Sequence, residues 1–130
     1  MATSAQYAAT PVTALAQVTA ANTNRDGTGT IVTVFTGAAT GSRVDDLTIK
    51  AVSNTTAGMI RLYLSVDGGT TNRLLREIAV PTSTPSGTVV SWSFSLADLA
   101  LQLQNASTML RASTNNAQTF NIAVTRAGSY

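Results

Sequence analysis

Along most of the chain, apolar residues recur at every second position in short runs, and clusters of Gly, Asn, Asp, Ser and Pro separate the runs. A period of two marks a strand with one buried face. In the stretch ending "WSFSL", Val90, Trp92, Phe94 and Leu96 fall on one face, and Val89, Ser91, Ser93 and Ser95 on the other. In "GMIRLYLSV", Ile60, Leu62, Leu64 and Val66 face the core, while Met59, Arg61, Tyr63 and Ser65 face out. "DLTIKAV" turns Leu47, Ile49 and Ala51 inward and Thr48 and Lys50 outward. "TFNIAVT" does the same with Phe120, Ile122 and Val124. "PVTALAQVTA" is rich in helix formers, but Val12, Ala14, Ala16 and Val18 alternate, so the pattern predicts a strand. Ile31 to Phe35 is β-branched on both faces, which predicts burial on both sides or an interface.

Turn chemistry divides the runs. Asp67-Gly68-Gly69 between "RLYLSV" and "NRLLREI" predicts a hairpin. In "RLLREIAV" the two alternations conflict: either Arg76 shares the inner face with Leu74 and Ile78, or Glu77 shares it with Leu75 and Ala79. A bulge near Leu74-Leu75 would resolve the conflict. "PTSTP", bracketed by Pro81 and Pro85, cannot be a central strand. "TMLRAST" and "TFNIAVT" are two strands joined by the polar turn "TNNAQ", with Arg111 outward and opposite in face to Leu110 and Ala112. The closing "TRAGSY" reads as a short ordered arm with Tyr130 as its anchor. The helix signal is confined to "SLADLALQLQNAS", where the spacing predicts at most a turn or two near Leu96 to Leu99, with Asp98 in its first turn.

About eight short strands in 130 residues specify an all-β, single-domain antiparallel β-sandwich. Jelly-roll-like connections are one topology open to it. The boundaries are an extended N-terminal arm at 1–11 and the sandwich at 12–130.

Composition changes the picture of the surface. Charged residues make up 11% of the chain, against about 25% in ordinary domains. The exterior must therefore be built from Thr, Ser, Asn, Gln and Ala. Such a surface suits a protein packed against neighbours, because charge is the ordinary means of staying soluble and single. The net charge is +2, but the arginines are scattered singly and Lys50 is the only lysine. No dense basic patch argues for direct nucleic-acid binding. No stretch approaches the ~18 apolar residues of a membrane span, and "MATSAQYAATPVT" lacks the basic and apolar regions of a secretory signal.

Candidate chemistry is sparse. With no His and no Cys, the usual general base and the commonest metal ligands are missing. Of the carboxylates, Asp26 and Asp67 sit in Asp-Gly turns, Asp45-Asp46 opens a strand, and Asp98 falls in the weak helix signal. None is spaced like a catalytic pair or a calcium loop. The expectation is therefore a non-enzyme with no cofactor and no metal. The residues best suited to a protein interface are Tyr7, Arg61, Tyr63, Arg111, Arg126 and Tyr130. Arg61, Tyr63 and Arg111 would form one patch if their strands are neighbours.

Four stretches, "ANTNRDGTGTIVTVFTGAATGSRVD", "TTAGMIRLYLSVDGG", "LLREIAVP" and "LRASTNNAQTFNIAV", resemble a family of small virion structural proteins of tailed bacteriophages and prophages. The resemblance runs from about Val12 onward and rests on turn-and-strand patterns, so it carries over no site residues. Within that family the chain looks most like a head decoration, or cement, protein. The resemblance implies a capsid-surface location after synthesis in the host cytoplasm. It implies the major capsid protein and copies of itself, as a homotrimer, for partners. Another virion position (tail or head–tail junction) and a glycan- or host-surface-binding module are the alternatives.

Overall fold

The computed structural model describes residues 9–130. Among them are nine strands and no helix: β1 (Thr10–Val18), β2 (Val32–Thr36), β3 (Ser42–Ala51), β4 (Gly58–Ser65), β5 (Arg73–Val80), β6 (Ser93–Leu96), β7 (Leu101–Leu103), β8 (Met109–Thr114) and β9 (Phe120–Ser129). They form two antiparallel sheets. The five-stranded sheet runs β1-β9-β3-β6, with β7 also on β3, and the four-stranded sheet runs β2-β8-β4-β5. The pairing is nested: β1 with β9, β2 with β8, β3 with β6 and β7, and β4 with β5. A long antiparallel ribbon folded over into two sheets gives this order, which is the jelly-roll arrangement.

The alternating residues meet between the sheets. Val44, Leu47, Ile49, Phe120, Ile122 and Val124 from one sheet face Ile60, Leu62, Ile78, Val80, Leu110 and Ala112 from the other, and all are at most 5% exposed. On β2, Val34 and Phe35 are consecutive yet both buried, and the register with β8 shifts between Thr33 and Phe35. This irregularity accounts for the two-faced pattern there. On β5 the register passes from Leu62↔Arg76 to Tyr63↔Leu74, so Leu75 is the extra residue of a bulge. Ile78 and Val80 are buried below it, while Leu74, Leu75 and Arg76 are exposed on an edge strand. "PTSTP" contributes only an isolated bridge, Thr55↔Ser83.

Four expectations require correction. The helical turn is not formed. Asp98 (φ +57°) and Ala100 (φ +49°) are left-handed, and the segments on either side both pair with β3. The Leu99 N–H donates to the Asp45 carbonyl at 2.8 Å, so the segment is a bulged edge rather than a helix. Asp45-Asp46 lies within β3, not at its start. Val66 and Val90, placed inward by alternation, are 60% and 83% exposed. Each lies beyond the end of its strand, where no facing sheet covers it. Finally, "TRAGSY" is not an arm. Arg126 to Ser129 continue β9, which runs in the middle of its sheet between β1 and β3. Tyr130 follows, its N–H donating to the Gly41 carbonyl at 3.0 Å. The boundary drawn at residue 12 falls inside β1, and the remainder of the expected arm, residues 1–8, lies outside the described residues.

Candidate interaction surfaces

Each sheet has an outer face, and the two are finished differently. On the four-stranded sheet, β4 and β8 are neighbours, with Arg61 opposite Ser113 and Tyr63 opposite Arg111. The sequence therefore does bring Arg61, Tyr63 and Arg111 together on one face, directed away from the core. That face is not open to solvent. Arg61 is 3% exposed and Tyr63 0%, because the segment 19–31 between β1 and β2 crosses over them.

Backbone carbonyls of this segment satisfy the side chains beneath it. Arg61 donates through Nη1 to the Asn22 carbonyl (3.0 Å), through Nη2 to Asn115 Oδ1 (3.2 Å) and through Nε to Glu77 Oε2 (3.0 Å). Tyr63 Oη donates to the Asn24 carbonyl at 2.8 Å. Arg111 is half-buried and donates to the carbonyls of Ile31 (2.8 Å) and Gly69 (3.2 Å), to Asn72 Oδ1 (3.1 Å) and to Thr33 Oγ1 (3.2 Å). A buried guanidinium needs this degree of satisfaction to be tolerated. The segment is also braced internally: Asn22 Nδ2 donates to the carbonyls of Thr28 and Thr30 at 2.9 and 3.0 Å. Gly27 has φ +89°, and a Cβ there would collide with the Asn72 carbonyl oxygen. Only glycine allows that close crossing.

Glu77 fastens the cover from outside. Its Oε2 accepts from Arg25 Nε at 2.7 Å as well as from Arg61. Those bonds, Arg25's first, hold its carboxyl below the ordinary glutamate value. Sequence reading missed Asn22 and Glu77 as parts of this assembly. A signal was present: the long polar segment after Val18 has no apolar alternation of its own, and a structureless loop of that length needs a surface to lie on.

The outer face of the five-stranded sheet has no such cover among the described residues. Register places Leu15, Ala123, Thr48 and Ser95 in one row across it, and Gln17, Asn121, Lys50 and Ser93 in the next. Leu15 is 78% exposed, and Gln17, Lys50, Ser93, Ser95 and Asn121 are exposed. Lys50 is the one charge in these two rows, and its Nζ donates to the Ser91 carbonyl at 3.0 Å. Toward one end of the sheet, the buried Asp45 carboxylate faces Arg43 at 3.0 Å and Arg126 at 4.0 Å. Tyr130 is 46% exposed, and its Oη lies 3.4 Å from Gln102 Oε1. Arg126 and Tyr130 are thus apart from the Arg61–Tyr63–Arg111 group. Tyr7 lies outside the described residues.

The carboxylates serve structure. Asp26 Oδ1 accepts from the Thr28 hydroxyl (2.6 Å) and N–H (3.1 Å). Asp67 Oδ1 accepts from the Thr71 N–H (2.8 Å) and the Ser65 hydroxyl (2.9 Å). These bonds lower the pKa of both groups, through Thr28 and Thr71 foremost. Asp98 stands at a left-handed position, its N–H donating to Asp46 Oδ1 at 3.1 Å. Among the described residues no three His, Cys, Asp or Glu side chains gather as a metal site, and no helix is long and apolar enough to cross a membrane.

No protein-family model matches the chain, and no curated protein matches it. Among solved structures, the chain is similar to one in the capsid asymmetric unit of cyanophage Pam1. The TM-score is 0.46 and the identity 16%, over 98% of this chain and 89% of that one. Similarity at that level does not carry a shared function.

Proposed function

We propose that the chain is a structural protein of a tailed-phage or prophage virion, seated on the head shell and clamping neighbouring capsid subunits. On this reading it is not an enzyme, needs no cofactor, and works in association with the major capsid protein and with copies of itself, as a homotrimer. The observation that carries the proposal is the outer face of the five-stranded sheet. Its two central rows, Leu15 to Ser95 and Gln17 to Ser93, are broad and open, built of Ser, Thr, Asn, Gln and Ala with Leu15 standing out and Lys50 as their one charge, while the Arg43–Asp45–Arg126 group lies toward one end. A rigid sandwich presenting such a face gains little from a single contact. Many copies on a lattice add those contacts together. The family resemblance of the four sequence stretches points the same way.

A glycan-binding role has less support. Such sites need an open aromatic platform, whereas Trp92 is half-buried and packs edge-to-face on Phe120 at 6.0 Å. The deciding experiment is to count and locate the protein in intact particles, by quantitative mass spectrometry and image reconstruction. The expected result is a fixed stoichiometry with the shell subunit and density on the shell. A few copies at the tail or head–tail junction would overturn the clamp, and so would absence from particles. Binding on a glycan array would favour the host-surface alternative.

A further inference from the structure

A two-layer sandwich has four edge strands, and exposed edges invite pairing with other chains unless they are blunted. Three of the four here carry recognised protection. β5 bears Arg73, Arg76 and Glu77 and a bulge at Leu75. The β6–β7 edge is broken by two left-handed residues, Asp98 and Ala100. β2 is only five residues long and has a register shift. β1 is protected only at its start, where Pro11 stands and the register with β9 shifts between Val12 and Ala14; from Ala14 to Val18 the pairing runs unbroken. The strand is nine residues long, regular in its alternation, without Gly or charge, and among the described residues it pairs with β9 alone. Together β1 and β2 make one side wall with no charged residue, whereas the opposite wall carries all four charges named above.

The sequence of β1 says what fits that edge. From Val12 to Val18 it reads Val-Thr-Ala-Leu-Ala-Gln-Val, which is symmetric in residue character about Leu15. A two-fold contact requires such self-complementarity, since each residue must suit its symmetry mate. Set antiparallel about Leu15, two copies place Val12 against Val18, Ala14 against Ala16, Thr13 against Gln17, and Leu15 against Leu15. On the inner side large meets large and small meets small, extending the half-buried row of Val12, Ala14 and Ala16. On the outer side the 78%-exposed Leu15 is covered by its twin. No like charges oppose each other, because there are none. A groove of ≈370 Å³, lined in part by Val12, Ala14, Val34 and Phe35, opens on the same wall, where the second copy would cap it.

We infer that β1 is the dimerisation edge of this protein: two copies join antiparallel through β1, centred on Leu15, into one continuous sheet. The contact takes Leu15 from the margin of the face proposed for the shell and joins copies by a two-fold axis in place of the three-fold of a homotrimer; it is read in solution without particles, so either reading can fail without the other.

The absence of native cysteine makes the test clean. The full chain is followed by sedimentation over a wide concentration range, and Leu15→Cys is oxidised beside Val66→Cys, a similarly exposed control away from β1. The wild type should self-associate, and Leu15→Cys should cross-link to a dimer much faster than Val66→Cys. Thr13→Cys should cross-link with Gln17→Cys in mixtures, faster than either does with itself. Leu15→Lys should weaken association on the order of tenfold or more, by placing like charges across the axis. Its melting, monitored at a dilution where both chains are monomeric, should not change, because the side chain is exposed. A chain that is monomeric throughout overturns the inference. So do Leu15→Cys cross-linking no faster than the control and an oligomer that Leu15→Lys leaves intact.

Discussion

Arg61 on β4 and Lys50 on β3 both stand on the polar side of an alternating strand, yet Arg61 is buried and Lys50 is exposed. The difference is made elsewhere in the chain. The polar side of the four-stranded sheet carries two arginines and a tyrosine, and the segment 19–31 supplies the carbonyls that they need. The two central rows of the five-stranded sheet's polar side carry small neutral residues besides Lys50, whose ammonium reaches the Ser91 carbonyl without a covering segment. Alternation decides which side of a sheet a residue takes. Whether that side meets water depends on what other segment has reason to lie there.

The largest effect on this contrast should come from Arg61→Ala. It strands Glu77, Asn115 and the Asn22 carbonyl and lifts the cover, at a cost of about 3 kcal/mol, read as a lower urea midpoint. Gly27→Ala attacks the cover from above. With a left-handed φ and a blocked Cβ, it should cost about 2 kcal/mol and speed hydrogen exchange in residues 19–31 ahead of the core. Tyr63→Phe removes only the bond to the Asn24 carbonyl. It should cost about 1 kcal/mol in the same urea assay.

A weaker contribution should appear on acidification. The Glu77 carboxyl is lowered in the folded state, so the unfolded chain takes up the proton first as pH falls. The stability it contributes is present above the ordinary value of 4.5 and is lost as pH drops through the lowered folded value. Glu77→Gln should flatten that part of the pH profile of the unfolding midpoint; an unchanged slope would remove Glu77 from the account. The smallest effect on stability should come from the bare face. Ser95→Arg should shift stability by less than about 0.5 kcal/mol, while sharply reducing the protein's recovery with particles if that face is the docking surface.

The sandwich was legible because each core strand states its face in its own residues. "LTIK" and "FNIAV" need no context to be placed, and even the bulge at Leu75 showed as a conflict between two alternations. Legibility failed where the strand's neighbour mattered more than the strand. Val90 continues the rhythm of Trp92 and Phe94, but β3 ends at Ala51, whose N–H donates to the Trp92 carbonyl at 2.8 Å, and Val90 lies beyond that last bond, 83% exposed. "TRAGSY" lacks bulky alternation because β9 there packs small residues: Ala127 is 3% exposed and pairs with Val12 on one side and Val44 on the other. Alternation brings Arg61, Tyr63 and Arg111 onto one face, and their side chains suit a protein interface. The occupant of that face is the chain's own segment, tied through backbone carbonyls that no side-chain pattern announces.

The nested pairing also imposes a schedule. The β4–β5 ribbon closes over a short turn, and each enclosing pair must wait for a wider loop to come together. The last to close, β1 with β9, joins Gln17 to Asn121 across 104 positions. β9 must enter between β1 and β3, so neither neighbour has its full complement of backbone bonds until it arrives. Such long-range closure is slow in folding. Until it happens the uncharged β1 is exposed along both edges, and this protein is most prone to misassociate in that interval.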